Sequence, residues 1–190
     1  MATMDASKVG IGSAAVTGAI FVAPKGTTLP TDATTNLSGS FVLLGFTSDA
    51  GVTISESSST EDLRAWEGRS VVVSAVTEYT ESVSFTPIQC NADVAKLMWG
   101  ADAVTVDGTS GAIHAKHHGK TMEPVVIAIE TTPRTGIVKR YTGTFQLVER
   151  GEHVMDGTQV EGRQLTFNAI ADSDGYTMHE YTAFVTGTTS

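Results

Sequence analysis

The chain has 190 residues, of which 41% are hydrophobic and 17% charged, and it carries 21 acidic against 12 basic residues for a net charge of −9. This length allows one domain with a substantial core. The net negative charge argues against a nucleic-acid binding protein, because such binding needs clustered Lys and Arg to displace counterions from phosphates. The single Cys90 excludes an intramolecular disulfide framework, and no apolar run approaches a membrane span, so no membrane partner is expected.

The N-terminal third predicts an arm, two strands and a long polar connection. The small and polar residues 1–17 are typical of an N-terminal arm outside the core. Gly18–Ala23 predicts a first strand, and the continuous apolar run Phe41–Phe46 predicts a second, buried one. The mostly polar residues 47–69 follow, and they are far too many for an ordinary hairpin turn. We therefore expect a long loop there.

Val71–Pro87 predicts a long strand with two different faces. In its second half, Val83 and Phe85 alternate with polar residues at a period of two, which gives one apolar-leaning face shared with Tyr79 and Glu81. The opposite face is polar and carries Glu78, Thr80, Ser82, Ser84 and Thr86.

The clearest helix follows this strand, in the sequence "NADVAKLMWG". Asn91 is a good N-cap, and Gly100 is suited to end the helix. Val94, Leu97 and Met98 fall on one face at helical spacing. We expect a short helix that flanks a sheet.

The C-terminal half predicts only strands and turns. Val104–His114 predicts two short strands around an Asp-Gly turn, and Glu123–Thr131 with Gly136–Val148 predicts a hairpin. Arg163–Ala171 alternates cleanly, His179–Phe184 predicts a last strand, and residues 185–190 form a polar tail. The pattern indicates a single domain over residues 1–190 that is mainly β: an antiparallel β-sandwich or partly closed barrel with one short flanking helix.

Candidate chemistry is sparse. His114, His117 and His118 could share a metal ion, but their Gly-flanked loop offers no Cys partner, so solvated histidines are the simpler interpretation. "DSDG" at Asp172–Gly175 begins like a calcium loop but lacks the closing Glu, which favours a turn. Cys90 precedes the helix without a nearby His and is expected to be a small buried residue. We expect no catalytic, cofactor or metal residues, and no enzyme.

Three segments carry a family resemblance. They are, in chain order, "GTTLPTD" (Gly26–Asp32), "LLGFTSDAGVTIS" (Leu43–Ser55) and "DLRAWEG" (Asp62–Gly68). Their order and spacing resemble the N-terminal half of the major tail proteins, or tail tube proteins, of bacteriophages with long non-contractile tails, especially phages of actinobacteria. The resemblance covers residues 18–100 by motif and the remainder by pattern.

The resemblance implies a structural virion protein. Members form hexameric rings whose inner strands join into one β-barrel, and the rings stack into a tube around a tape-measure protein. DNA later passes through the lumen without specific binding. The implied partners are other copies of the chain, the tape-measure protein, and the tail terminator and distal tail or baseplate proteins, with assembly in the host bacterial cytoplasm. Some members carry a C-terminal immunoglobulin-like domain, which is not expected here.

The resemblance also suggests two sets of site residues. Residues 47–69 are expected to be an assembly loop that reaches a neighbouring copy, with Trp66 as its anchor because Trp buries a large rigid surface. The alternative is that Trp66 packs on its own domain. The assembly candidates are Phe46, Asp49, Val52, Ile54, Leu63 and Trp66. The candidates for the lumen wall are Glu78, Thr80, Ser82 and Ser84.

Two other functions stay open at this point. One is a different β-sandwich component, such as another ring-forming or tail-completion protein. The other is a receptor- or carbohydrate-binding module, which would need exposed aromatic side chains beside acids and amides. Trp66 and Trp99 are the two tryptophans that could serve it.

Overall fold

The computed structural model describes residues 13–14, 18–132, 136–158 and 160–184. Its strands occupy 53% and its helices 7%, which confirms the mainly β class with one short helix. The strands are β1 Ile20–Pro24, β2 Val42–Leu43, β3 Thr47–Arg64, β4 Val71–Pro87, β5 Val104–Val106, β6 Ile113–Ala115, β7 Val125–Thr131, β8 Ile137–His153, β9 Arg163–Ile170 and β10 His179–Phe184. The helix α1 is Ala92–Trp99.

Eight of the strands form one antiparallel sheet, which does not close into a barrel. Its order is β2-β1-β7-β8-β9-β4-β3, and β10 also pairs with β8. Strand β8 is long enough to hold both β9 and β10 in addition to β7. Strands β5 and β6 form a separate two-stranded sheet around the predicted Asp-Gly turn. The predicted strand pairs within the C-terminal half are thus confirmed.

The core lies between α1 and one face of the large sheet. Val83 and Phe85 of β4 pack there with Phe167 of β9, and the Phe85 and Phe167 rings stack with centroids 5.5 Å apart. Val94 and Leu97 complete the core from the helix. Full burial of each such side chain contributes about 1.5–3 kcal/mol, so the alternating pattern fixes which strand face turns inward.

The helix begins where the sequence predicts. The Asn91 side chain accepts a hydrogen bond from the Val94 N–H at 2.8 Å, which satisfies one of the free amides of the first turn. Its Nδ2 donates to the Leu44 carbonyl at 2.8 Å and so attaches the helix to the segment before β3. Gly100 ends the helix with a φ of 88°, a backbone conformation that favours glycine.

Two sequence predictions were wrong at the second and third strands. Residues 47–69 are not a loop, because Thr47–Arg64 is a strand and pairs with β4 along its length. Its run of Ser and Thr lacks an apolar face, so period-two burial could not reveal it. The predicted buried strand Phe41–Phe46 shortens to Val42–Leu43, which lies exposed at the sheet edge, and only Leu44 of this run is buried.

Other expectations fall outside the described part of the chain. The N-terminal arm, residues 1–17, is described only at residues 13–14, and the tail, residues 185–190, is not described.

A buried arginine holds the loop between β1 and β2. Arg140 of β8 is 3% exposed, and its Nη2 lies 2.6 Å from Glu130 Oε1 of β7. Its Nη1 donates to the Asp32 carbonyl at 2.6 Å and Nη2 to the Thr35 carbonyl at 2.8 Å. A planar guanidinium satisfies a carboxylate and two carbonyls at once because its donors are rigidly arranged. Arg140 therefore fixes a loop that has little regular structure of its own.

Replacing Arg140 by Met should lower the free energy of unfolding by about 3 kcal/mol, because Glu130 and two carbonyls lose their buried donor. Urea denaturation measures the loss. The neighbouring variant Lys139→Met is the control: Lys139 pairs with Glu180 at 2.5 Å, but both side chains are over a third exposed. It should change stability by less than about 1 kcal/mol. Equal losses in the two variants would contradict the role of Arg140.

Candidate assembly surface

Strands β3 and β4 form a hairpin that extends well beyond the rest of the sheet. The two strands pair from Thr47 with Pro87 to Arg64 with Val71. The other neighbour of β4 is β9, and it pairs only with Ser82–Phe85. The remaining part of the hairpin, residues 56–80, is a two-stranded ribbon, and we call it the projecting ribbon.

The projecting ribbon and its tip expose apolar side chains. Val71, Val72 and Val73 are consecutive and all exposed, so both faces of the ribbon are uncovered. Tyr79 was predicted to share the apolar face of β4 but is 49% exposed, because β9 does not extend that far. An isolated two-stranded hairpin is only marginally stable in water. A ribbon with this composition is therefore suited to contact another surface.

The tip of the hairpin, residues 65–70, presents Trp66 to solvent. The Ala65 N–H donates to the Ser70 carbonyl at 2.9 Å and closes the turn, and Arg64 Nη1 donates to the Arg69 carbonyl at 3.3 Å. Arg69 has a φ of 54°, which non-glycine residues seldom adopt. Trp66 is 95% exposed, so the alternative interpretation, in which this side chain packs on its own domain, does not hold in the single subunit.

The six assembly candidates divide into two separate groups. Leu63 and Trp66 lie at or beside the tip, where both are exposed. Val52 and Ile54 lie at the base of the hairpin, half-buried against the core, and Phe46 precedes the strand with 70% of its surface exposed. The sixth candidate, Asp49, is exposed near the start of β3. The structure thus does not bring the six residues into one surface.

The base of the hairpin is held firmly. The Gln89 side chain accepts a hydrogen bond from the Phe46 N–H at 3.1 Å. Gly45 has a φ of 95°, and a Cβ at this position would lie 2.1 Å from Gln89 Oε1. The backbone conformation therefore favours glycine here, and a larger residue would displace the Gln89 side chain from its bond to Phe46.

The lumen candidates share one continuous polar face. Cross-strand partners lie on the same face of a sheet, and Ser84, Ser82, Thr80 and Glu78 pair respectively with Thr53, Ser55, Ser57 and Ser59 of β3. Strand β9 adds Thr166 and Asn168 beside Ser84 and Ser82. Of these ten side chains only Glu78 is charged. The sequence did not reveal the contributions of β3 and β9, because strand register decides them.

Two of the three candidate histidines, His117 and His118, contact Trp99, whereas His114 is exposed in β6. Trp99 is 8% exposed, and the His117 ring stacks on it with centroids 3.9 Å apart. His118 Nε2 lies 2.6 Å from the Trp99 carbonyl, while its Nδ1 accepts from the Lys120 N–H, so the proton belongs on Nε2. Arg150 lies over the Trp99 ring at 4.7 Å. Trp99 is therefore covered and offers no open platform for a sugar.

The remaining chemical candidates also have local explanations. Asp172 accepts hydrogen bonds from the Asp174 and Tyr176 N–H groups at 2.9 Å each and lies 3.1 Å from His179. The Tyr176 N–H contributes most to lowering the pKa of this carboxyl. The segment is thus a turn, as predicted. Cys90 is exposed, so the expectation of a buried thiol was wrong. The described residues contain no group of three side chains suited to a metal ion.

These observations define a class: a mainly β protein with one open antiparallel sheet, a flanking helix and a projecting hairpin that exposes apolar side chains. Within the described ranges, no helix is long and apolar enough to cross a membrane. The chain belongs to the phage tail tube protein family, whose model matches residues 2–180. This places it among the structural proteins of bacteriophage tails. Comparison with curated proteins returns no significant match.

Hydrogen exchange should distinguish the two halves of β4. In the isolated subunit, amides of Val73 and Val76 should exchange at least roughly tenfold faster than those of Val83 and Phe85, because only the latter lie between two strands. Mass spectrometry or NMR measures both groups within one strand, which provides an internal control. Uniform protection along β4 would show that the ribbon is stable without a partner.

Proposed function

We propose that copies of this chain assemble through the β3–β4 hairpin into hexameric rings, and that the rings stack into the tube of a long non-contractile phage tail. The observation that carries this proposal is the projecting ribbon with Trp66 at its tip, 95% exposed. Membership of the tail tube family supports the same role. The protein acts as a structural element and not as an enzyme.

The sheet has features that a ring would use. Among the described strands, β3 forms one end of the sheet and β2 the other, and neither has a further described strand on its outer side. Neighbouring subunits satisfy such edges when they join into a closed barrel. A long edge strand such as β3 offers many backbone groups for this purpose. The proposed ring therefore completes hydrogen bonding that a single copy leaves unfinished.

The polar face of β3, β4 and β9 suits the wall of a conduit for DNA. Hydroxyl and amide side chains with a single acid give phosphates nothing cationic to bind, and the net charge of −9 opposes non-specific attachment. In this proposal the tape-measure protein occupies the lumen before DNA passes. The tail terminator and the distal tail or baseplate proteins contact the two ends of the tube, which is assembled in the host cytoplasm and functions in the virion.

Trp66→Ala should abolish assembly without destabilising the subunit. The side chain is almost fully exposed, so we expect a change in unfolding free energy below about 0.5 kcal/mol. Trp99→Ala is the matched control, because this buried Trp should cost about 3–5 kcal/mol. Electron microscopy of concentrated protein and the titre of phage carrying each variant measure assembly. Normal tubes and titre for Trp66→Ala would contradict the proposal.

The conduit role predicts a defect in DNA passage when the polar face becomes basic. The double variant Glu78→Lys, Ser82→Lys should form tubes but slow DNA ejection, because lysines on the wall bind phosphates. Thr121→Lys, Glu123→Lys makes the same change in charge at exposed positions outside this face and should eject normally. DNA release from purified phage measures the effect. Equal ejection by both variants would exclude this face as the lumen wall.

A further inference from the structure

An apolar pocket lies at the base of the same hairpin that carries Trp66. It has a volume of about 650 Å³ and is lined by residues of β1, β3, β7 and β8 and of the segment before β3. Its walls include the apolar or hydroxyl-bearing side chains of Leu43, Phe46, Val52, Ile54, Thr131 and Tyr141. Three of the assembly candidates, Phe46, Val52 and Ile54, thus line a cavity, although they lie far from the tip.

The pocket matches the tip in charge. All of its lining residues are uncharged, although the chain as a whole carries a net charge of −9. The tip carries one acid, Glu67, and one base, Arg69, and is therefore neutral. The two strands of the hairpin are acidic by contrast, with six carboxylates and Arg64 as their one base. Contact between tip and pocket therefore places a tip with no net charge against uncharged lining residues.

The pocket also matches an indole in size and polarity. A volume of this order is typical of sites that enclose a drug-sized group. A buried Trp needs one acceptor for its Nε1–H, and the pocket supplies the Thr131 and Tyr141 hydroxyls and the Gln89 side chain. The remaining surface is largely apolar.

The pocket and the tip of one chain are too far apart to meet. Strand β3 rises about 3.3 Å per residue, which places Trp66 roughly 45 Å from Val52 along the hairpin. The hairpin is paired throughout this stretch, and Trp66 is 95% exposed and so does not lie in the pocket of its own chain. Any Trp66 that enters the pocket must therefore come from a second copy.

We propose that the pocket at the hairpin base receives Trp66 of another copy of this chain. This inference rests on the proposed function and deepens it by naming the receptor for the tip. Because tip and pocket are different surfaces, the contact is heterologous, and each bound subunit still offers a free tip or a free pocket. Such contacts propagate, as the stacking of successive rings requires.

A mixed cross-linking experiment tests the contact. In a Cys90→Ser background, one sample carries Glu67→Cys beside the intact Trp66, and the other carries Thr131→Cys at the pocket. A short bis-maleimide should join the two variants when they are mixed under assembly conditions. Thr109→Cys, in the exposed turn between β5 and β6, replaces the pocket variant as the control. Tubes that form without a 67–131 cross-link, or with equal cross-linking at Thr109, would overturn the inference.

Reciprocal variants provide a second test. Trp66→Ala removes the tip residue, and Thr131→Trp fills the pocket from a half-buried strand position. Neither variant should form tubes alone. In a mixture, the tip of the Thr131→Trp variant should bind the open pocket of the Trp66→Ala variant, which gives pairs that cannot extend further. Sedimentation velocity detects these pairs. If Thr131→Trp does not fold by circular dichroism, Leu43→Glu at the edge strand replaces it. Absence of pairing in the mixture would overturn the inference.

The outcomes separate the two proposals. If wild-type protein forms tubes and Trp66→Ala does not, but cross-linking and pairing fail, the proposed function stands and Trp66 binds elsewhere. If wild-type protein forms no tubes and phage carrying Trp66→Ala grows normally, the proposed function fails and the inference with it.

Discussion

The structure depends on a mismatch between strand lengths in the large sheet. Strands β3 and β4 pair over their whole length, but β9 covers β4 only at Ser82–Phe85. Where β9 lies alongside, β4 buries Val83 and Phe85 against the helix and becomes part of the core. Where β9 is absent, the same two strands continue as a ribbon with solvent on both faces. One continuous hairpin is therefore part of the core at one end and exposed to solvent at the other.

The base of the hairpin carries the contacts that keep its direction fixed. Gln89 bonds the Phe46 N–H, and Asn91 caps the helix while its amide bonds the Leu44 carbonyl. The bonds to Phe46 and Leu44 join the segment around the start of α1 to the segment before β3. The ribbon therefore leaves the domain from a well-anchored point. In the proposed tip-to-pocket contact, these bonds at the base reduce the conformational entropy lost when the tip binds.

Elsewhere in the molecule, buried polar and aromatic contacts stabilise the subunit. Arg140 fixes the loop before β2 through a carboxylate and two carbonyls, and Trp99 closes one side of the domain beneath His117 and Arg150. Of these groups, only the histidines and Trp99 were considered as chemical or binding candidates in the sequence. Their burial and mutual contacts show that they stabilise the subunit. The projecting ribbon and its tip, in contrast, leave Leu63, Trp66 and Tyr79 exposed together with several valines.

Local patterns in the sequence determined much of this protein. The N-cap at Asn91, the two-faced strand Val71–Pro87, the alternation in β9 and the Asp-Gly turn each depend on residues close together in the chain, and each was predicted correctly. Tertiary structure alone decided the rest. The stretch 47–64 is a strand because β4 pairs with it, although its Ser- and Thr-rich part after Ile54 has no apolar face. The polar face across three strands and the pocket formed by β1, β3, β7 and β8 depend on register between distant segments. The alternation of apolar and polar residues in a sequence predicts which side chains face the core, but it does not predict where the neighbouring strand ends.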